Sequence, residues 1–187
     1  QKRCTEAMVI SGSGIAEVPT GVGKTRIIKD NIKNIGLRSV IITPSTALKE
    51  QAAEYLESCF GSDNVGVYDK RFDTKNIVVT TYHSFANTDP LMWKDYDHVQ
   101  FDEFHHAQNN TIRDFNDTHL NSFYFRHGLT GTNFTSDDYS LILLESVLSN
   151  VVFSMSIKEA IAKKYIVPIV PVFFDISNDN LESLGDY

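Results

Sequence analysis

The chain has 187 residues, 42% of them hydrophobic and 22% charged, and its formal net charge is −7 at pH 7. This length is that of one globular domain with a hydrophobic core of its own. The negative charge excludes a general electrostatic attraction to nucleic acid, so such contacts would have to come from a local patch or from backbone amides. The sequence shows no apolar run of membrane-spanning length and no signal peptide.

The cysteines and most of the histidines show no metal-ligand spacing. Cys4 and Cys59 are the two cysteines of the chain, and neither lies in a CxxC pair. We therefore expect two reduced, mostly buried thiols in a cytoplasmic protein. Four histidines are interpreted as ordinary polar residues: His83, His98, His119 and His127.

Strand-like and helix-like segments alternate along the chain. Apolar runs predict strands at residues 15–18, 39–43, 65–68, 77–81, 99–101, 125–130 and 169–174. Helical periodicity predicts helices at residues 25–35 and 157–165, and another that Ser45 or Thr46 caps and Gly61 ends. Residues 109–121 are interpreted as a polar helix or loop, and residues 133–138 as a loop. The alternation predicts an α/β fold in which helices cover both faces of a parallel sheet.

A glycine-rich segment, VPTGVGKT at residues 18–25, lies between the first predicted strand and the first predicted helix. Its glycines permit backbone conformations in which successive N–H groups point at an anion, and the helix start adds its positive dipole end. Lys24 would neutralise the β- and γ-phosphates of a nucleotide, and the Thr25 hydroxyl would hold Mg2+. Val18 replaces the first glycine of the general GxxxxGK[ST] pattern, so that pattern alone would miss this segment.

Two adjacent carboxylates, Asp102 and Glu103, follow the predicted strand at residues 99–101. The carboxyl ends of strands form the ligand-binding edge of an open α/β sheet. Asp102 would bind Mg2+ through water, and Glu103 would orient and deprotonate the attacking water. We expect His105 to link the nucleotide site to other loops by hydrogen bonds. His105 and His106 could instead suggest zinc, but no cysteine or second histidine cluster has ligand spacing.

The order of these motifs resembles the first RecA-like domain of superfamily 2 helicases. That family uses a phosphate loop of the form xPTGxGKT, in which a residue such as Val18 is tolerated at the first position. Residues 102–105, DEFH, resemble its DExH box. The resemblance implies that the site binds ATP and Mg2+. Gln1 is similar to the family's adenine-reading glutamine. The other residues assigned to ATP are Pro19, Thr20, Gly21, Val22, Gly23, Lys24, Thr25 and Arg26.

A second pair of motifs resembles the family's coupling and nucleic-acid segments. Residues 128–134, GLTGTNF, are similar to the GLTATPF segment that couples hydrolysis to strand movement, with Thr130, Gly131 and Thr132 at its centre. Gly131 stands where alanine is usual, and Asn133 stands where proline is usual.

Residues 43–51, TPSTALKEQ, are similar to the TPTRxLxxQ segment that grips a nucleic-acid backbone with a helix N-terminus. The resemblance assigns this contact to Pro44, Ser45 and Thr46, and a second one to Thr80 and Thr81. Thr46 replaces the usual arginine, which removes one cation from the expected phosphate contact.

Residues 156–161 and 165–168 resemble a segment of type I and type III restriction motor subunits, and related phage and repair translocases share it. The resemblance therefore favours double-stranded DNA over RNA as the substrate. It also indicates a protein of a bacterial or phage-infected cell, and we expect no membrane partner. We expect residues 1–175 to form the first RecA-like domain and residues 176–187 to begin a linker to a second one. Because that second domain supplies arginine fingers, this segment alone should hydrolyse ATP slowly.

The sequence leaves two other classes of protein open. One is a different P-loop enzyme, such as a nucleotide or small-molecule kinase, which would need an arginine-rich lid, whereas Arg113 and Arg126 are isolated. The other is a non-catalytic module that keeps an ATPase-like fold. Such a module would be expected to have lost some of the residues that bind and hydrolyse ATP, yet all of them are present.

Overall fold

The computed structural model describes residues 1–68, 75–108, 119–120, 122–131 and 139–168. The strands in this part of the chain are β1 (Ser13–Glu17), β2 (Ser39–Thr43), β3 (Val65–Val67), β4 (Ile77–Thr81), β5 (His98–Phe101), β6 (Phe125–Thr130) and β7 (Val151–Ser154). The α-helices are α1 (Lys2–Ser11), α2 (Lys24–Ile35), α3 (Thr46–Phe60), α4 (Tyr82–Ala86), α5 (Tyr139–Leu148) and α6 (Ile157–Ala162). Two 3-10 helices lie at Pro90–Trp93 and Phe104–Gln108.

The described strands form one sheet in the order β3-β4-β2-β5-β6-β1-β7. Every adjacent pair in it is parallel, so all the carboxyl ends meet at one edge. The strands β5, β6 and β1 are neighbours, and the DExH box, the coupling segment and the phosphate loop follow them in that order. This sheet order therefore brings three motifs that are far apart in sequence to one stretch of the edge.

Each face of the sheet carries its own hydrophobic core. Ile41 of β2 points into the core that α1, α2 and α3 cover. Its neighbours Val40 and Ile42 point into the other core, which α4, α5 and the aromatic ring of Trp93 fill. Since all five residues of β2 are buried, the strand needs a continuous apolar run rather than an alternating one.

The predicted parallel α/β fold is confirmed, and so are the strands predicted within the described residues. The predicted helix at residues 157–165 is shorter, because α6 ends at Ala162. The sequence did not predict α1, α5 or β7. The predicted strand at residues 169–174, the loop at residues 133–138 and nearly all of residues 109–121 lie outside the described residues. None of the described helices is long and apolar enough to cross a membrane.

Two of the remaining expectations were wrong. Cys59 is exposed, although Cys4 is buried as expected. His98 and His127, interpreted from the sequence as ordinary polar residues, are both fully buried where β5 and β6 lie side by side. Burial, the largest cause in each case, lowers the pKa of His98 well below its usual range and lowers the pKa of His127 to about 4.

The buried histidines belong to a chain of hydrogen bonds that runs across the sheet. His127 Nε2 lies 2.8 Å from the carbonyl oxygen of Met8, which can only accept, so this nitrogen carries the proton. His127 Nδ1 must then accept from His98 Nε2, at 3.3 Å. His98 Nδ1 in turn lies 2.9 Å from the Ser39 hydroxyl, which also contacts Leu37 O at 3.0 Å. Both rings are therefore neutral Nε2–H tautomers whose nitrogens all have partners.

Candidate active site

The phosphate loop follows β1 and opens directly into α2. Gly21 has φ 88° and Gly23 has φ 92°, in the left-handed region that favours glycine. Gly23 is also the N-cap residue of α2 and provides no side chain to its free amides. Those amides and the helix dipole are therefore available to an anion. Val22 is buried, which anchors the loop in the hydrophobic core.

Lys24 and Glu103 form an ion pair at the centre of the site. Lys24 Nζ lies 2.5 Å from Glu103 Oε1, although the two residues are 79 positions apart in sequence. The Lys24 side chain is 9% exposed, and that of Glu103 is 24% exposed. The predicted phosphate-neutralising lysine and the predicted base are thus in direct contact, and Glu103 remains accessible to a water molecule.

Thr25 and Asp102 line one cavity of about 330 Å3, together with Gly23 and residues of α2 and α3. Burial raises the pKa of Asp102, and the negative charge of Glu103 raises it further. A hydroxyl and a carboxylate are oxygen ligands of the kind that Mg2+ takes beside nucleotide phosphates. The donor set fits Mg2+, although the described residues contain no group of three or more His, Cys, Asp or Glu side chains that could hold a metal alone.

His105 connects the DExH box to the coupling segment. Its Nδ1 lies 3.1 Å from Thr130 Oγ1 and 3.5 Å from Glu103 Oε2. Burial lowers the pKa of His105, and neighbouring His106 lowers it further, so the ring is neutral at neutral pH. This is the kind of hydrogen bond to another loop that the sequence led us to expect.

The coupling segment lies against the phosphate loop. The amide of Val18 donates to Thr130 O at 2.8 Å. A Cβ atom built on Gly131 would lie 3.0 Å from Thr20 Oγ1 and 3.1 Å from Lys24 Nζ. Glycine at position 131, where the family usually has alanine, therefore lets the segment approach the phosphate loop closely. Thr132, the third predicted coupling residue, lies outside the described residues.

Gln1 contacts the phosphate loop from the start of the chain. Its Nε2 donates to Val22 O at 2.9 Å. Beside this contact is a cavity of about 260 Å3, whose lining comprises Gln1, Lys2, Val22, Arg26, Asp30 and Tyr165. The predicted nucleotide residues Gln1 and Arg26 therefore share one cavity. Sequence reasoning did not assign Tyr165 to it, because nothing in the sequence shows that α6 returns to the phosphate loop.

Three of the predicted nucleic-acid residues lie at the start of α3. Ser45 and Thr46 are exposed, Pro44 is partly buried, and the Ser45 hydroxyl accepts from Leu48 N at 3.3 Å. The helix therefore presents its N-terminus to solvent at the same edge as the phosphate loop. Such an end can bind phosphate through backbone amides without a cation.

The second predicted nucleic-acid segment needs a correction. Thr80 lies in β4 and is fully buried, so its side chain does not reach a ligand at the surface. Thr81 is partly exposed and caps α4 by accepting from Ser84 N at 3.2 Å. The contact assigned to this segment therefore falls to Thr81 alone.

Tyr82 is a site residue that the sequence did not reveal. Its hydroxyl donates to the backbone oxygen of Asp102 at 3.0 Å. Burial raises the pKa of Tyr82 well above its usual range, and the charges of Asp102 and Glu103 act in the same direction. The tyrosine stays protonated and ties Thr81 to the DExH box through one intervening hydrogen bond.

The parallel sheet, the phosphate loop and the acidic pair at its edge define a nucleotide-binding domain with a RecA-like fold. The chain belongs to the family of the type III restriction enzyme res subunit, whose sequence profile matches residues 4–135. No curated protein matches the chain.

Several solved structures share the fold. The UvsW helicase of bacteriophage T4 superposes with a TM-score of 0.70 at 18% identity, over 81% of this chain and 58% of that one. The Sulfolobus solfataricus SWI2/SNF2 ATPase core in complex with dsDNA gives 0.59 at 18% identity, over 78% and 33%. A nuclease-deletion mutant of the Type ISP restriction-modification enzyme LlaGI with a DNA substrate mimic gives 0.63 at 14%, over 88% and 20%. The chain thus spans about three-fifths of the UvsW structure.

Proposed function

We propose that this chain is the nucleotide-binding half of an ATP-dependent motor that moves along DNA. The observation that carries the proposal is the convergence of Lys24, Glu103 and Asp102 at the carboxyl edge of the sheet. Lys24 and Glu103 are in contact at 2.5 Å, and Asp102 shares a cavity with Thr25. An anion-binding loop, a metal-binding pair and an accessible carboxylate base are the parts that ATP hydrolysis requires.

In the proposed reaction each of these residues has one task. Lys24 exchanges Glu103 for the β- and γ-phosphates, and the amides after Gly23 hold the same phosphates. Glu103, which is then no longer paired, takes a proton from the attacking water. Thr25 and Asp102 would hold Mg2+, which when bound neutralises charge on the phosphates.

The proposed coupling to movement runs through the neighbour of the phosphate loop. Thr130 accepts or donates a hydrogen bond with His105, and Gly131 abuts Thr20 and Lys24. A change in phosphate occupancy at Lys24 would therefore act directly on Gly131 and, through the backbone, on Thr130. Tyr82 offers a second route, from the DExH box to Thr81.

The proposed nucleic-acid contacts are those of Pro44, Ser45 and Thr46 at the start of α3, with Thr81 beside them. Double-stranded DNA is the proposed substrate because two of the similar structures, the SWI2/SNF2 core and LlaGI, were determined with dsDNA and with a DNA substrate mimic. A second RecA-like domain would close over the exposed side of the ATP. Because ATP and DNA are intracellular, the proposal implies a cytoplasmic protein.

The test compares ATP binding and hydrolysis with and without double-stranded DNA in the full-length protein. Lys24→Ala should weaken ATP binding by about a hundredfold, because it removes a charge-assisted contact with the phosphates. Lys33→Ala, an exposed lysine of the same helix, is the matched control and should bind ATP normally.

DNA should stimulate hydrolysis by the parent protein, and RNA should stimulate it less. Hydrolysis that DNA does not change, together with phosphate transfer to a small acceptor, would instead identify a kinase. ATP binding that survives Lys24→Ala would contradict the assignment of the phosphate loop.

A further inference from the structure

We propose that Tyr165 is a base-recognition residue, whose ring stacks on the purine of the bound nucleotide. This inference rests on the proposed ATP site and adds to it a residue from the far end of the described chain. Tyr165 lines the 260 Å3 cavity beside the phosphate loop together with Gln1, Val22 and Arg26. A base attached to phosphates held after Gly23 has this cavity as its neighbour.

The backbone around Tyr165 is fixed by the end of α6. Tyr165 N donates to Ala160 O, and Lys164 N donates to Ile161 O, each at 2.9 Å. Lys164 has φ 57°, in the left-handed region. These two bonds and the positive φ form a Schellman motif, which ends a helix in one defined direction. The backbone of Tyr165, and with it the direction of its Cα–Cβ bond, is therefore set before any ligand binds.

The residue after Tyr165 anchors the same segment to the phosphate loop. Ile166 is partly buried and packs on the core that contains Val22. Its Cγ2 lies 3.2 Å from the position of a Cβ built on Gly21. The segment thus contacts the phosphate loop by packing, while the tyrosine ring beside it remains 51% exposed. Packing against the protein therefore covers only about half of the surface of Tyr165.

The chemistry of the cavity suits a purine with an amino group. A tyrosine ring offers a flat apolar face, on which any base can stack. Arg26, whose side chain is 62% exposed, adds a guanidinium to the same cavity. Gln1 already uses its Nε2 on Val22 O, and its Oε1 has no hydrogen-bond partner among the described residues. That oxygen can accept from the exocyclic amino group of adenine, whereas guanine presents a carbonyl oxygen at the corresponding position.

The test measures binding of ATP and of inorganic tripolyphosphate, which has no base, to the 187-residue chain by calorimetry. Tyr165→Ala should weaken ATP binding about tenfold, which is about 1.4 kcal/mol, and should leave tripolyphosphate binding unchanged. Tyr165→Phe keeps the ring and should bind ATP as the parent does. Tyr124→Ala removes an exposed tyrosine that precedes β6, at the opposite edge of the sheet, and is the matched control.

Tyr165→Leu serves as a second variant, since it keeps apolar volume for folding but removes the aromatic face. The same tenfold loss in Tyr165→Leu supports the proposal. Unchanged ATP binding in both variants, or an equal loss of ATP and tripolyphosphate binding, overturns it. If Tyr165 has no effect while Lys24→Ala weakens both ligands, the stacking role fails and the proposed function stands. A chain that binds neither ligand contradicts both.

Discussion

Histidines lie within β5 and β6 and also just beyond the carboxyl end of β5, and these two regions behave differently. Within the strands, His98 and His127 are buried, and every ring nitrogen has a partner inside the protein. At the carboxyl edge, His105 is 30% exposed and lies within reach of both Glu103 and Thr130. The hydrogen bonds of the buried histidines are closed to ligands, whereas those of His105 lie at a partly exposed site.

The difference shows that position along a strand, rather than residue type, separates structural from chemical roles here. A neutral, fully paired histidine in the sheet fixes how two strands align. Charged side chains at the edge have each other as partners, and they can exchange these for phosphate or water. The two regions should therefore respond differently to substitution. Changes at the buried histidines should alter the free energy of unfolding, and changes at the carboxyl edge should alter the rate of ATP turnover.

The largest effect is expected on ATP turnover, from a substitution at the carboxyl edge of the sheet. Glu103→Gln removes the proposed base and should lower ATP turnover by about 10²- to 10⁴-fold, with the free energy of unfolding nearly unchanged. ATP binding should persist, because Lys24 and the loop amides remain. Steady-state hydrolysis and calorimetry measure the two quantities, with the exposed Glu54→Gln as control. Undiminished DNA-dependent turnover in Glu103→Gln would mean that another residue is the base.

The next largest effect is expected on the pH dependence of stability, through the buried histidines. His127 has a pKa of about 4 in the folded chain, below its ordinary 6.5. As the pH is lowered, the unfolded chain therefore binds a proton at a higher pH than the folded chain does. Stability is fully present above pH 6.5 and should fall by about 3 kcal/mol as the pH approaches 4. His98 acts in the same direction. Urea unfolding at a series of pH values measures the slope.

Two variants separate this slope from the general acid sensitivity of proteins. His127→Gln removes the titrating ring and should flatten the dependence between pH 6.5 and 4, whereas His83→Gln, at an exposed position, should not. An unaltered slope in His127→Gln would show that the buried pair does not control acid stability.

The sequence predicted what depends on local spacing. The strand at residues 39–43 and the loop at residues 18–25 were predictable, because a β-branched run and a glycine-lysine-threonine cluster are contiguous. The pairing of His98 with His127 was not, because it depends on β5 lying beside β6. Tyr165 was missed for the same reason, since it meets Gln1 only through the fold.

Two further features could not be predicted from the sequence. The buried residues of α1 are Cys4, Thr5 and Met8, which do not make a recognisable apolar stripe. Thr80 was assigned a nucleic-acid contact because of the family resemblance. It lies in β4, as the predicted strand requires, but its side chain is buried there, whereas that of Thr81 is partly exposed. Both cases needed the neighbours in space rather than the neighbours in sequence.

The smallest effect should come from the edge histidine. His105→Ala removes a hydrogen bond to Thr130 and should lower DNA-stimulated turnover by about fivefold, since one such bond contributes about 1 kcal/mol. The free energy of unfolding should change by less than about 1 kcal/mol, because the site is partly solvated. His106→Ala, the exposed neighbour, is the control. A large loss of stability in His105→Ala would erase the contrast between the two regions.

In the proposed site, the ion pair between Lys24 and Glu103 makes the Glu103 carboxylate a competitor of the ATP phosphates. Both the carboxylate and the phosphates require the same ammonium group, so the measured ATP affinity is a difference between two attractions. Substituting Glu103 by a neutral residue should consequently tighten ATP binding while it lowers turnover. The competition also sets an order of events: the water-activating group is released by the arrival of the phosphate that the water will attack.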